Sequence, residues 1–284
     1  MLRGFLTEMV RSWVFLGDSL TEGVGSKRIS HVTELVKQLR AGAGMNVHEF
    51  RLRHVENTFS QIDFNVAGLI DVDAGQNPSD LWLWNLACEG QTIDSDFGWL
   101  PLIAALRPEL VVMFRGSLES IIRPAMVADG DWPWWVPQAW RAYASMDPRC
   151  YFSTTWWRKA KQSSLDALKQ RVRLNLLKVR PGRPLIDVEQ FVSYQKELLK
   201  RLRALGTRVL VLGLLPVDQT RFPGSAEQFK LVNARLKQIA DAEGVEFFDW
   251  ASSLNGEDLF YRDGFHPNAA GADALAGILR DRLS

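Results

Sequence analysis

A serine and a histidine–aspartate pair near opposite ends of the chain have the residue types of a nucleophilic catalytic site. Ser19 lies in the segment GDSL at residues 17–20, directly after an apolar run. Asp263 and His266 lie three residues apart in the segment DGFHPN. Because a serine hydroxyl is a weak nucleophile at neutral pH, it needs a base within hydrogen-bond reach and a third group that orients the base. These residues therefore predict a Ser19–His266–Asp263 set, if the fold brings the two ends together.

The position of Ser19 between a predicted strand and a predicted helix start favours the same chemistry. A helix start offers free backbone N–H groups and a partial positive charge, which stabilise a developing oxyanion. His266 is the only histidine after residue 54, which makes it the leading candidate for the base. The other histidines are interpreted as ordinary surface or half-buried residues: His31, His48 and His54.

These segments resemble the conserved blocks of the SGNH/GDSL hydrolase superfamily. Ser19 falls on the family's nucleophile, and Asp263 and His266 occupy its Asp-x-x-His positions, followed by PNAAG. The segment NLACEGQT at residues 85–92 resembles the second block, where Gly90 matches the glycine whose backbone N–H helps to form the oxyanion hole. The first and last segments bracket nearly the whole chain.

The third block departs from the family pattern. The segment LVVMFRG at residues 110–116 resembles the strand that leads into the family's Gly-x-Asn-Asp turn, but the turn here reads GSLE. Leu118 replaces the asparagine of the oxyanion hole and cannot donate a hydrogen bond. Loss of one such donor costs roughly 10²–10³ in kcat in a well-studied serine protease. Ser117, Arg115 or a residue of an insertion could supply the donor, and the sequence does not choose among them.

Apolar runs alternate with amphipathic segments along the chain, which predicts an α/β fold. Strands are expected at residues 11–16, 81–87, 110–114, 208–215 and 245–250, and helices at 30–40, 187–205, 226–243 and 269–283. Strands that alternate with such helices need crossover connections, hence a parallel sheet with helices on both faces. We expect a three-layer α/β/α sandwich around a central parallel sheet of about five strands, the flavodoxin-like arrangement that the resemblance implies.

The same fold predicts where the site lies and how the chain is divided. Ligands of such sheets bind outside the carboxyl ends of the strands, and Ser19, Gly90 and Gly116 all follow predicted strand ends. We expect one domain over residues 1–284, with insertions at 41–80 and 120–186.

The second insertion is rich in tryptophan. Six of the eleven tryptophans lie between Trp132 and Trp157. Tryptophans among prolines suit a lid or wall that binds a sugar ring or an acyl chain, and they equally suit a satellite hydrophobic cluster under a long loop. We take Trp134 and Trp135, together with Ser117 and Leu118, as candidate substrate-binding residues.

The segment 158–180 predicts a basic amphipathic helix. It carries eight lysines and arginines, and its only acidic residue is Asp166. Apolar residues recur at helical spacing: Leu165, Leu168, Val172, Leu176 and Val179. A solvated face is the ordinary explanation, and the alternative is an anionic partner such as phospholipid headgroups, an acyl carrier protein or an acidic glycan.

Composition narrows the class of protein. With 284 residues, 46% hydrophobic and 24% charged, the chain is long enough for one sizeable core. A net charge of +1 argues against electrostatic binding of nucleic acid. Cys88 and Cys150 form neither a disulfide framework nor a zinc pattern, and we expect buried or half-buried thiols in a reducing compartment. The first ten residues lack the apolar core of a signal peptide and no stretch reaches the length of a membrane span, so we expect a cytoplasmic protein.

The resemblance implies a serine hydrolase that cleaves a carboxylic ester through an acyl-enzyme on Ser19. The backbone N–H groups of Ser19 and Gly90 would hold the oxyanion, and no metal or cofactor is expected. Small acyl esters, acetylated carbohydrates, lysophospholipids and acyl thioesters are all substrate classes that the resemblance allows. Two alternatives remain: an O-acyltransferase that uses the same triad, for example to acetylate a carbohydrate, and a non-catalytic binding module, which Leu118 suggests.

Overall fold

The molecule is built around a parallel sheet of six strands. The computed structural model describes residues 11–24, 29–43, 46–51, 80–126, 130–141, 145–148, 155–254 and 258–283. The strands are β1 Arg11–Gly17, β2 Val47–Arg51, β3 Leu81–Asn85, β4 Leu110–Phe114, β5 Arg123–Pro124, β6 Gly182–Arg183, β7 Arg208–Leu212 and β8 Glu246–Phe248. The main sheet has the order β2-β3-β1-β4-β7-β8 with every pairing parallel, and β5 and β6 form a separate antiparallel pair.

Eight helices are described. They are α1 Ser19–Glu22, α2 His31–Ala43, α3 Leu100–Leu106, α4 Ser117–Ser120, α5 Trp156–Val179, α6 Val188–Ala204, α7 Ser225–Glu243 and α8 Ala269–Leu283. Short 3₁₀ segments occur at Ile93–Trp99, Gln138–Trp140 and Trp250–Ser253.

The chain leaves the centre of the sheet in both directions, which produces two helical layers. From β1 it crosses by α2 to the edge strand β2, whereas the later crossovers run through β4, β7 and β8 towards the other edge. Because such crossovers are right-handed, the two directions place their helices on opposite faces. Accordingly, α2 packs against α8, and α6 packs against α7. The predicted three-layer α/β/α fold is confirmed.

The central strands are apolar because both faces of the sheet are covered. Every residue of β4 is buried, and all of β1 except Arg11 is buried. These two strands pair in register, with Phe15 beside Val112. This core holds the carboxyl ends of β1, β3 and β4 side by side, where the candidate residues follow.

The segment 41–80 contains a sixth strand that was not predicted from the sequence. The edge strand Val47–Arg51 pairs with β3 and has one fully buried residue, Val47. Its sequence VHEFR alternates too weakly to predict a strand by itself. Residues 44–45 and 52–79 of this segment lie outside the described residues.

Helix α5 has nearly the predicted bounds of the basic segment, but the face that packs against the rest of the protein carries polar side chains. A helix of this pattern would ordinarily bury its apolar stripe. Asp166 and Arg173 are buried instead, together with Leu176. The apolar residues Leu165, Leu168 and Val179 are exposed.

His31 is a core residue, so its interpretation as a surface or half-buried histidine was wrong. Its ring lies edge-on to Trp250 at a centroid distance of 5.1 Å. Burial lowers the pKa of His31 to about 3, so the ring is neutral at physiological pH. His48, by contrast, stacks on Trp82 at the sheet edge and bonds to Asp80.

Candidate active site

The turn after β1 presents Ser19 at the start of helix α1. Asp18 caps the helix, because its carboxylate accepts a hydrogen bond from the Leu20 N–H at 2.9 Å. Gly17 is required here, since a Cβ at this position would collide with the side chain of Thr21. Ser19 is 7% exposed. The turn therefore fixes the serine at the carboxyl end of the central strand, with its hydroxyl at the edge of the buried core.

The turn before helix α8 presents Asp263 and His266. The His266 carbonyl accepts a hydrogen bond from the Tyr261 N–H at 2.8 Å, which closes the turn. The Gly264 carbonyl accepts one from the Asp218 N–H at 3.0 Å, which ties the turn to the segment after β7. Gly264 has a φ of 67°, a left-handed conformation that favours glycine. The turn is thus held at both of its ends.

The two turns meet in a continuous chain of hydrogen bonds. Ser19 Oγ lies 2.9 Å from His266 Nε2, and His266 Nδ1 lies 2.8 Å from Asp263 Oδ2. The other oxygen of Asp263 accepts from the N–H groups of Phe265 and His266, both at 3.0 Å. With Asp263 accepting from Nδ1–H, Nε2 is left to accept the serine proton. The structure thus brings together residues that lie 247 positions apart in sequence.

The loop after β3 lies beside the Ser19 turn. The Cys88 N–H donates to the Gly17 carbonyl at 3.3 Å, and Asn85 Nδ2 donates to the Thr21 carbonyl at 3.1 Å. Gly90 follows two residues after Cys88 and has a φ of 76°, which again favours glycine. The structure therefore places the predicted Gly90 on a loop that is anchored to the turn of Ser19.

Three further hydrogen bonds restrain this loop, which we call the 88–93 loop. The Glu89 N–H donates to the Glu22 carboxylate at 2.5 Å, next to the first turn. Arg115 Nη1 donates to the Gln91 carbonyl at 2.9 Å, and the Ile93 N–H donates to Glu119 Oε1 at 2.8 Å. The backbone on both sides of Gly90 is thus fixed by the ionisable side chains of Glu22, Arg115 and Glu119.

Arg115 is the centre of a buried charged cluster. It makes a bidentate ion pair with Asp96, in which Nε donates at 2.7 Å and Nη2 is also within hydrogen-bond distance. Both side chains are almost fully buried. Because three of its nitrogens already donate to Asp96 and Gln91, Arg115 is poorly placed to act as an oxyanion donor, which was one of the alternatives that the sequence left open.

Burial shifts the ionisation of the carboxyl groups around Arg115. It raises the pKa of Glu119 to about 7, against the opposing effect of the Arg115 charge. It raises the pKa of Asp18 and of Asp96 in the same way, again with Arg115 opposing. Burial also raises the pKa of the Cys88 thiol to about 11, so this residue is a neutral thiol at physiological pH. Cys150 lies outside the described residues.

Two buried polar side chains, in or near the third family block at residues 110–119, have no hydrogen-bond partner among the described residues. They are Ser117, whose Oγ is unpaired, and Gln91, whose Oε1 and Nε2 are both unpaired. Leu118 is buried between Ser117 and Glu119, and its carbonyl accepts from Arg123 Nη1 at 2.8 Å. Ser117 was a candidate from sequence. Gln91 was not, because an unpaired state is visible only in the folded structure.

The candidate substrate-binding tryptophans lie on an exposed loop. Trp134 is 89% exposed, and Trp135 is also exposed. The described contacts of this loop run to α5: Arg180 pairs with Asp131, and Lys169 lies over the Trp140 ring. These contacts place the loop beside helix α5. None of the helices in the described part of the chain has the length and apolarity needed to span a membrane.

Comparison with known proteins supports the resemblance seen in the sequence. A model of the GDSL-like Lipase/Acylhydrolase family matches residues 183–274, which include Asp263 and His266. A search of curated protein sequences finds no match.

Solved structures with a similar fold include several esterases. One is the acetyl-xylooligosaccharide esterase Axe2 of Geobacillus stearothermophilus, at 12% identity and a TM-score of 0.55, covering 96% of this chain and 94% of that one. Another is TesA, at 16% identity and a TM-score of 0.52, covering 96% of this chain and 98% of that one. A third is an acylhydrolase of Bacteroides fragilis, described as putative, at 13% identity and a TM-score of 0.50, covering 96% and 86%.

These likenesses confirm the fold and the resemblance to the SGNH/GDSL hydrolases. They also agree with the prediction of an enzyme that acts on ester bonds. Two of the Axe2 structures are of catalytic mutants, one with a serine and one with a histidine replaced by alanine.

Proposed function

We propose that this chain is a serine hydrolase of the SGNH/GDSL type, which cleaves a carboxylic ester through an acyl-enzyme on Ser19. The observation that carries the proposal is the hydrogen-bond chain from Ser19 Oγ through His266 to Asp263. It has the nucleophile, base and orienting carboxylate in the order that acyl transfer requires. The match to a GDSL-like lipase/acylhydrolase model over the segment with Asp263 and His266 supports it.

In the first half of the reaction, Ser19 Oγ attacks the ester carbonyl while its proton moves to His266 Nε2. Asp263 stabilises the imidazolium, and its second oxygen is held by the N–H groups of Phe265 and His266. When the tetrahedral intermediate collapses, the bond to the leaving oxygen breaks and His266 returns the proton to the departing alcohol. Water then attacks the acyl-enzyme with His266 again as base, which releases the acid and restores Ser19.

The oxyanion would be held by the backbone N–H groups of Ser19 and Gly90. Charged side chains restrain the 88–93 loop on both sides of Gly90, and such preorganisation is what makes a fixed donor effective. In this proposal Arg115 and Glu119 are positioning residues, since they bond to the backbone of the loop.

The third donor would be Gln91 rather than a residue at position 118. Its side chain is a carboxamide, the same chemical group as the asparagine that Leu118 replaces. It is buried and unpaired in the described structure, directly after Gly90. A buried unpaired amide carries a desolvation cost of about 1–3 kcal/mol, and binding an oxyanion would remove that cost in the transition state.

A fluorophosphonate probe tests the nucleophile. We expect it to label Ser19, and we expect Ser19→Ala to abolish both labelling and hydrolysis of p-nitrophenyl acetate without changing the melting temperature. The matched control is Ser252→Ala, which removes an exposed serine whose hydroxyl bonds to the Asp249 carbonyl. Labelling at another serine, with activity retained in Ser19→Ala, would refute the proposal.

Product analysis separates hydrolysis from acyl transfer. With a free sugar present at high concentration as acceptor, a hydrolase should still form the free acid as its main product. An acylated sugar as the main product would show that the chain is an acyltransferase with the same triad. Absence of any labelling or turnover would instead favour the non-catalytic binding module.

A further inference from the structure

The exposed large apolar side chains of the described structure are concentrated in one region. Of nine such residues, seven lie between Trp134 and Val179, and only Leu205 and Leu231 lie elsewhere. Helix α5 carries five of the seven. A concentration of this kind on one element indicates an interaction surface more strongly than scattered exposed residues would.

Four of these residues form one stripe along α5, which we call the apolar stripe. It consists of Trp157, Leu165, Leu168 and Val179, exposed by 51%, 42%, 51% and 74%. At about 100° per residue, the four positions fall within an arc of about 80° on the helix. The stripe therefore faces a single direction over most of the length of α5.

Cations flank the stripe, and no exposed acid interrupts it. Arg158 and Lys161 lie at its N-terminal end, and Arg171 and Lys178 lie along one edge, all of them exposed. The only acidic residue on α5 is Asp166, which is buried. The helix thus presents a cationic, apolar face to the solvent.

Contacts on the opposite side keep this face outward. Arg173 donates to the carbonyls of Arg221 and Ile122, both at 2.6 Å, and its guanidinium lies 5.0 Å from the Phe222 ring. Asp147 lies 3.5 Å from Arg173 and also pairs with Arg123. Because a roll of the helix would break these buried polar contacts, the apolar stripe cannot turn inward at low cost.

We propose that α5 docks the protein on the surface of an anionic phospholipid bilayer. A helix of 24 residues is about 36 Å long, so a straight stripe along it suits an extended plane better than a small globular partner. Apolar side chains would enter the headgroup region, while the flanking lysines and arginines meet lipid phosphates and anionic headgroups. The tryptophans suit the interface, where an apolar ring meets a polar environment.

Such docking would leave helix α5 between the bilayer and the candidate active site, because Arg173 lies on the side of α5 opposite the apolar stripe. The chain of contacts runs from Arg173 of α5 to the Phe222 ring, from Phe222 to Phe265 at 5.9 Å, and from Phe265 to His266 at 5.0 Å. The proposal goes beyond the proposed function and does not depend on it, since binding requires no turnover.

Vesicle co-sedimentation tests the proposal. The probes are vesicles of phosphatidylcholine alone and vesicles of equal parts phosphatidylcholine and phosphatidylglycerol. We expect binding to the anionic vesicles at low salt, weaker binding as salt rises, and little binding to phosphatidylcholine alone. Ser19→Ala should bind as the parent does, which keeps this result separate from any result on catalysis.

Variants of the apolar stripe and its cations locate the contact. Lys161→Gln and Arg171→Gln should each weaken binding to the anionic vesicles by about fivefold. Leu168→Ser should weaken it about tenfold, because one fewer leucine enters the bilayer surface. All three sites are exposed, so the melting temperatures should stay close to that of the parent. The matched controls are Lys200→Gln on α6 and Leu231→Ser on α7, which should bind as the parent does.

Three outcomes would overturn the proposal. One is failure of the parent chain to bind anionic vesicles at low salt. The second is equal loss of binding in the control and stripe variants. The third is a concentration-dependent dimer in analytical ultracentrifugation that Leu168→Ser dissociates, which would show that a second copy of the chain covers the apolar stripe.

Discussion

The two sides of the candidate site are built differently. On the triad side, each polar atom of the Ser19–His266–Asp263 chain has a partner, and both oxygens of Asp263 accept hydrogen bonds. On the oxyanion side, the side chain of Gln91 and the hydroxyl of Ser117 are buried without partners in the described structure. Arg115, the centre of a buried charged cluster, donates to the Gln91 carbonyl on this side.

This difference indicates which side of the site departs from the family pattern. A closed hydrogen-bond chain needs no further group, so the Ser19–His266–Asp263 chain is complete within the described structure. Unpaired buried donors cost stability, and retaining them is reasonable where a bound ligand or a transition state supplies the partner. If the proposed function holds, we expect a substrate to supply partners on the oxyanion side.

The largest losses of kcat should come from substitutions in the Ser19–His266–Asp263 chain. We expect His266→Ala to lower kcat on p-nitrophenyl acetate as far as Ser19→Ala does, because the serine loses its base. Asp263→Asn should lower kcat by about 10⁴-fold, since the carboxamide can turn its NH₂ to His266 and favour the wrong tautomer. Steady-state assays of each purified variant measure the two kcat values. Asp273→Asn, on the exposed side of α8, is the matched control and should keep full activity.

A different result would change the assignment of the base. If His266→Ala keeps more than a trace of activity while its melting temperature matches the parent, another group takes the serine proton. If Asp263→Asn is nearly neutral, the two backbone N–H groups on Asp263 hold the turn and the carboxylate charge is unimportant.

The next largest effect is expected on the oxyanion side. We expect Gln91→Met to lower kcat by about 10²–10³-fold with little change in KM, because the lost donor acts mainly on the developing oxyanion. Ser117→Ala should cost less than threefold in kcat. The control is Gln195→Met, at another buried glutamine on α6, which should leave kcat unchanged even if stability shifts. The reverse ranking of Gln91→Met and Ser117→Ala would assign the donor to Ser117.

The sequence predicts that Ser19, Asp263 and His266 meet, because the signals for their two turns are local. An apolar strand that ends in a Gly-bearing turn at Ser19, and an Asp-x-x-His segment before a helix, each form a unit within a few residues. The fully buried strand Leu110–Phe114 was predicted at its observed bounds for the same reason. The parallel sheet then brings strand ends together without further information.

The remaining features depend on partners that are distant in sequence. The edge strand Val47–Arg51 is a strand because β3 pairs with it, and its own pattern is weak. Helix α5 buries Arg173 because the carbonyls of Ile122 and Arg221 happen to lie opposite. The Gln91 side chain is unpaired among the described residues, while its carbonyl is held by Arg115, which lies 24 positions away in sequence. None of these facts can be obtained from residue types and spacing alone.

A smaller effect is expected when the family's oxyanion donor, an asparagine, is restored at position 118. In the parent, Leu118→Asn should change kcat by less than threefold, because the hole is already complete, and it should lower stability by about 1–3 kcal/mol through a buried amide without a partner. In the Gln91→Met background, the same change should raise kcat, by up to ~10²-fold on the donor-deletion scale. Steady-state kinetics and thermal unfolding of the double-mutant cycle measure both effects. A large gain in the parent would show instead that the hole lacks a donor.

The smallest effect on kcat is expected at the charged cluster that restrains the 88–93 loop, where the test measures stability. Burial raises the pKa of Glu119 from 4.5 to about 7, so between these values the folded state holds a proton that the unfolded chain releases. The stabilising contribution is therefore fully present below about pH 4.5 and is lost as pH rises through about 7. By linkage the loss is at most about 3 kcal/mol, and coupling to Arg115 reduces it.

Glu119→Gln isolates this contribution, because the carboxamide oxygen can still accept from the Ile93 N–H while the group no longer titrates. We expect the free energy of unfolding of Glu119→Gln, relative to the parent, to be higher at pH 8 than at pH 5. Urea titrations at the two pH values measure it, with Glu197→Gln at an exposed ion pair as the control. If the two proteins show the same pH dependence, Glu119 is ionised throughout, and the cluster restrains the loop as a charged network with Arg115. Because the variant retains the bond to Ile93, kcat should stay within threefold of the parent in either case, which separates the role of the bond from the role of the charge.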